Sequence, residues 1–83
     1  MTIQIKPLKP KVIANTASNK STVHSANAVY ILGTAADTIT NEQTGATFQI
    51  GANVPVVMFK KTVENIYSGA NTTHMTKIEM PRG

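Results

Sequence analysis

Six side chains in this sequence could carry proton or metal chemistry: Asp37, Glu42, Glu64, Glu79, His24 and His74. General acid–base catalysis needs two titratable groups that converge across a substrate inside a cleft. The four carboxylates fall on four different predicted segments and none has a partner at strand-face or helical spacing, so they read as solvated surface charges. The two histidines are far apart, with no carboxylate beside either, and a metal site would need further donors. The chain has no Cys, which removes thiolate clusters and disulfides together. Gly33, Gly45, Gly51, Gly69 and Gly83 each stand alone as turn residues, and none belongs to a phosphate-cradling loop. No catalytic residue, metal or cofactor is expected, and the chain is not expected to be an enzyme.

The lysines are more informative. Lys6, Lys9, Lys11 and Lys20 lie in the first 20 residues with no acid among them, while the rest of the chain is balanced, so the formal net charge of +4 sits on one end. Pro7 and Pro10 force extended geometry on their neighbours and remove backbone donors. Residues 2–6 alternate, placing Ile3 and Ile5 on one face, and Val12 and Ile13 follow. That pattern predicts an extended strand able to add to a sheet edge, with Ile3, Ile5, Val12 and Ile13 as apolar anchors and Lys6, Lys9 and Lys11 as charged contacts to a partner. Residues 14–27 are rich in Asn, Ser, Thr and Ala and read as a linker or irregular loop. The expected organisation is an N-terminal arm over 1–20 and a small β domain over 21–83.

Elsewhere the pattern is β. Ala28 to Leu32 is apolar, β-branched and closed by Gly33, which predicts a central strand. Asp37 to Thr40 and Ala46 to Ile50 flank a polar, Gly-closed segment and predict an antiparallel hairpin with Phe48 and Ile50 on one face. The apolar run Val54 to Phe59 has Pro55 near its start, which suits an edge strand or the first residues of a strand. Val63, Ile66 and Tyr67 break the two-residue period and predict one helical turn capped by Thr62. His74 to Met80 alternates again, with Met75, Lys77 and Glu79 on one face and Thr76, Ile78 and Met80 on the other, the first face carrying solvated charges. The expected fold class is all-β, a small antiparallel β-sandwich or barrel with an extended N-terminal arm.

A chain of 83 residues without disulfides or Trp has a thin core, with a net stability on the order of 3–5 kcal/mol. Oligomerisation or docking onto a partner is the usual remedy, so a homo-oligomer is expected. No secretory pattern and no run of about 20 apolar residues is present, so neither export nor membrane insertion is expected. The sequons at Asn19 and Asn71 have no secretory context and read as chance in an Asn- and Thr-rich chain. Four clustered lysines could also attract about four phosphates. Single-strand binders interleave aromatics with their basic residues, whereas Tyr30, Phe48, Phe59 and Tyr67 mostly fall at core-like positions, and the one local exception, Lys60-Lys61 next to Phe59, reads as a strand end that snorkels into water.

Several features recur in a fixed order: the strand from Ala28, the hairpin Thr38-Ile39-Thr40, the strand Thr47-Phe48-Gln49-Ile50-Gly51, and the run from Val56 that ends in Lys60-Lys61. Glu64 with Ile66 and the final Thr76-Lys77-Ile78 complete the series. Over roughly residues 28–80 this resembles the short β proteins of tailed bacteriophages, particularly those of marine and cyanobacterial phages. The resemblance implies a virion component fixed to the outside of the capsid or to the tail, with no catalytic residues to carry over, and it does not include the N-terminal arm. The combined expectation is a capsid decoration or cement protein that binds the major capsid protein or another virion protein and is assembled in the host cytoplasm. A tail or head–tail connector component is the near alternative, and a nucleic-acid-binding β-barrel module the alternative of another class.

Overall fold

The computed structural model describes residues 6–79. Seven strands follow one another: β1 (Lys6–Pro7), β2 (Ala28–Gly33), β3 (Asp37–Asn41), β4 (Thr47–Ile50), β5 (Val56–Phe59), β6 (Ile66–Ser68) and β7 (Thr73–Glu79), with one 3-10 turn at Ala17–Asn19. They form a four-stranded sheet in the order β1-β7-β2-β5 and a three-stranded sheet in the order β4-β3-β6. Every strand pairing is antiparallel, and neither sheet closes on itself. The fold is all-β.

One buried cluster receives side chains from both sheets: Val29, Ile31 and Met75 from the larger, and Ile39, Ile50 and Ile66 from the smaller. Ala14, Val23 and Ala26 complete it from the segment before β2. The hairpin of β3 and β4 has the expected register, with Ile39 opposite Phe48 and Asp37 opposite Ile50. β5 starts just after Pro55 and is an edge strand, as a missing backbone donor requires.

Three expectations are corrected. Residues 62–67 do not form a helical turn. Thr62 and Val63 lie in a tight turn, closed where the Glu64 N–H donates to the Lys61 carbonyl at 3.1 Å. Ile66 and Tyr67 then pair with Asn41 and Thr40 as strand β6. The alternation was hidden because the second inward position of this short strand is Ser68, buried through hydroxyl bonds to the carbonyls of Ala14 and Ala70.

In β7 the inward face carries Thr73 and Met75, both fully buried, where Met75 was expected to share a solvated face with Lys77 and Glu79. β7 lies between β1 and β2 in the sheet, so Met75 sits opposite Ile31 in the core. Lys77 is half-buried and its ammonium donates to the His24 carbonyl at 3.0 Å, whereas Glu79 is exposed.

The largest correction concerns the arm. Residues 6–20 are not a separate unit. Lys6 and Pro7 pair with Glu79 and Ile78, the Leu8 N–H donates to the Lys77 carbonyl, and Val12 exchanges two backbone hydrogen bonds with Met75. The chain then crosses to the other sheet, where Ser68 donates to the Ala14 carbonyl, Thr16 donates to the Ser68 carbonyl, and Ser21 exchanges two bonds with Ile66. The strand addition expected of this segment does occur, but onto its own chain. An edge already tethered in the same chain, more than sixty residues away, is met at high effective concentration and without the translational cost of a second molecule. Pro7 and Pro10 are tolerated because this is the outer strand of the sheet.

Before β2 the backbone makes a left-handed turn at Val23, His24 and Ser25, with φ of 53°, 56° and 58°. Such conformations are costly for residues with a Cβ. The fully buried Val23 side chain opposes that cost, as do hydrogen bonds from Val23 N–H to the Ser21 hydroxyl and from Ala26 N–H to the Thr22 carbonyl.

Candidate interaction surface

With Val29, Ile31 and Met75 turned inward, alternation sends Ala28, Tyr30 and Leu32 to the outer face of the four-stranded sheet. The register places Ala28 opposite Phe59, Tyr30 opposite Val57, and Pro7 opposite Ile78. One step beyond the Val29–Lys77 pair, Ala28 lies beside Ile78, so an apolar row crosses all four strands. Phe59 stands out of this row at 70% exposure, while Ala28 and Ile78 beneath it are buried. Leu8, Ala28, Phe59 and Ile78, with Asn27, Lys77 and Glu79, line an open groove of about 420 Å3.

Lys77 lines the groove together with Glu79, and other lysines are close to its walls in sequence. Lys9 follows Leu8 and Lys61 lies two residues past Phe59, both exposed, as are Lys6 and Lys11. Lys60 is only 8% exposed, and its ammonium donates to the Lys61 carbonyl at 3.1 Å. Burial pushes the Lys60 pKa down and nearby Lys77 adds to this, while Glu64 opposes it.

The carboxylates, by contrast, are engaged within the chain. Asp37 accepts four hydrogen bonds: from the Thr73 hydroxyl at 2.6 Å and from the N–H groups of Thr38, Gly69 and Ala70 at 2.7, 2.9 and 3.1 Å. Burial alone would raise its pKa, but these bonds together outweigh it and hold the carboxyl below its ordinary value. Gly69 is needed at this point, since a Cβ there would come within 2.9 Å of an Asp37 oxygen. Glu64 accepts from the Lys61 N–H at 2.8 Å, and that bond chiefly lowers its pKa, with lesser help from Asn41 and from the charges of Lys61 and Lys60. Glu42 pairs with Lys20 at 2.7 Å, and Glu79 is engaged as well. Among the described residues every Asp and Glu is therefore engaged, while Lys6, Lys9 and Lys11 are exposed.

No protein family, curated protein or solved structure matches the chain.

Among the residues expected to bind a partner, Lys6, Lys9 and Lys11 are exposed along the edge formed by residues 6–12, and Ile13 is exposed. Val12 instead packs against the core. Ile3 and Ile5 lie outside the described residues. The groove residues Leu8, Ala28, Phe59 and Ile78 were not singled out by sequence. Because Val56, Val57, Met58 and Phe59 are all apolar, no alternation marks which face of β5 is outward. The imidazoles stay apart: His24 is exposed on the left-handed turn, and His74 is opposite Leu32 on β7. No group of three His, Asp or Glu that could hold a metal occurs among the described residues.

Proposed function

We propose that this chain is a structural attachment protein of a virion, of the capsid-decoration or cement type, which docks on an acidic surface of the major capsid protein. The supporting observation is the groove floored by Ala28 and Ile78 and walled by Leu8 and Phe59, with Lys77 and Glu79 in its lining and exposed Lys9 and Lys61 within two residues of its walls. Apolar contact at such a site supplies affinity, at about 25 cal/mol per Å2 before ordering costs, while rim charges steer and orient the encounter. Residues 6–12 contribute Leu8 to the groove and expose Lys6, Lys9 and Lys11 while their backbone is held by β7.

A protein partner fits better than nucleic acid. Stacking on bases needs several exposed aromatics among the cations, but Tyr30, Phe48 and Tyr67 are half-buried, which leaves Phe59, beside Lys60 and Lys61, as the one exposed Phe or Tyr ring among the described residues. The reading is tested by quantitative mass spectrometry of density-gradient-purified virions of the phage encoding the chain. Many copies per particle, released without loss of the genome, are expected. Absence of the chain from mature particles would overturn the proposal.

A further inference from the structure

Open strand edges are sites of pairing unless something blocks them. The edge formed by residues 6–12 is blocked by Pro7, Pro10 and exposed Lys6, Lys9 and Lys11. The β4 edge alternates, with exposed Thr47 and Gln49. The β5 edge has no charge and no Pro within Val56–Phe59, and exposed Val54, Phe59 and Val63 lie on it or beside it.

The main-chain pattern of β5 fixes what can pair there. The Lys60 N–H donates to the Asn27 carbonyl at 2.9 Å. Alternation along an antiparallel ladder then makes Val29–Met58 and Ile31–Val56 the next hydrogen-bonded pairs. The N–H and C=O groups of Val57 and Phe59 consequently point away from β2. Pro55, the next outward position, has no N–H to offer.

We propose that β5 pairs antiparallel with β5 of a second copy of this chain, in the register that sets Val57 opposite the second copy's Phe59, joining the two four-stranded sheets into one. In this register all four outward groups of each strand are used, giving four interchain hydrogen bonds about a two-fold axis at Met58. Phe59, 70% exposed in the single chain, covers the second copy's Val57 on the outer face. Lys60 falls opposite the second copy's Val56, and Lys61 opposite the second copy's Pro55, so no like charges oppose each other across the seam despite the net charge of +4 on each chain. Extending a thin, staple-free domain in this way is the usual source of its missing stability. The inference is independent of what the assembled protein attaches to.

Sedimentation velocity over a range of concentrations tests it. The 83-residue chain is expected to be a dimer at micromolar concentration. Phe59→Lys and Val57→Lys should each raise the dissociation constant by about 30-fold or more, with unchanged far-UV circular dichroism. The register has its own readout. Met58 lies opposite the second copy's Met58 in a non-hydrogen-bonded pair, where Cα atoms are about 4.5 Å apart, within disulfide range. In a chain that has no other thiol, Met58→Cys should form a covalent dimer under mild oxidation and Leu32→Cys should not. A monomer at all concentrations, a dimer that survives both lysine variants, or cross-linking of Leu32→Cys in place of Met58→Cys would each overturn the proposal.

Discussion

The hydroxyl of Thr73 donates a 2.6 Å hydrogen bond to the carboxylate of Asp37. Asp37 opens β3 in the three-stranded sheet and Thr73 opens β7 in the four-stranded one, so this bond clasps the two sheets at one end. With the N–H groups of Gly69 and Ala70 on the same carboxylate, it also fixes the loop between β6 and β7.

Removing that clasp should be costly. Asp37→Ala is expected to destabilise the fold by about 1.5–3 kcal/mol, because bonds to a charged acceptor are lost and the fully buried Thr73 hydroxyl is left without its carboxylate. Gly69→Ala should act through the same carboxylate and be nearly silent in an Asp37→Ala background. Urea denaturation of the two single variants and the double variant measures the coupling.

The clasp also sets an acid limit. The Asp37 carboxyl is held below its ordinary value, so the folded chain binds that proton more weakly than the unfolded chain does. Its contribution is complete above the unfolded carboxylate value of about 4 and is lost as pH falls through the lower, folded value. Urea midpoints measured from neutral pH downward should hold level until about pH 4–5 and then fall, and Asp37→Asn should flatten that fall.

Lys60 works in the opposite sense. Burial lowers its pKa, so its charged form is disfavoured in the folded chain at neutral pH and the penalty is relieved only as pH rises through the folded value toward the unfolded one. Lys60→Met should keep the packing of the stem and raise stability by about 1 kcal/mol at pH 7. A thermal shift upward at pH 7 that narrows at pH 10 is the expected result.

The N-terminal segment should prove to be part of the fold. Deleting residues 1–13 removes the outer strand, the two Val12–Met75 bonds and the cover over the core. Loss of cooperative unfolding is expected by circular dichroism, where a detachable arm would leave the signal unchanged. Val12→Ala should cost about 0.5–1.5 kcal/mol, the range for trimming a partly buried aliphatic side chain.

Much of the architecture is written in local patterns. The strand from Ala28, the hairpin around Asn41 to Gly45, and the edge position of the Pro55 strand follow from apolar runs, alternation and turn residues. Three features are not local. Which sheet edge receives residues 6–12 depends on a strand more than sixty residues later, and alternation encodes an edge-seeking strand without naming its edge. β6 is invisible because one of its inward residues is Ser68, whose burial relies on carbonyls from Ala14 and Ala70. The left-handed turn places β-branched Val23 at positive φ, a conformation that its side chain opposes and only tertiary packing selects. The groove was hidden for a related reason: its floor is assembled from β2 and β7 and its walls from Leu8 and Phe59, which are distant in sequence.

The central proposal, that the groove docks the chain on an acidic shell, is tested most directly by titrating the chain onto particles of the virion proposed to carry it, stripped of it. Leu8→Glu is the informative variant, since Leu8 walls the groove yet lies at the opposite edge of the sheet from β5. Saturable binding by the unaltered chain, weakened by salt and weakened about 30-fold or more by Leu8→Glu at unchanged circular dichroism, is the predicted result. Equal binding by folded Leu8→Glu, or no binding by the unaltered chain, would contradict it.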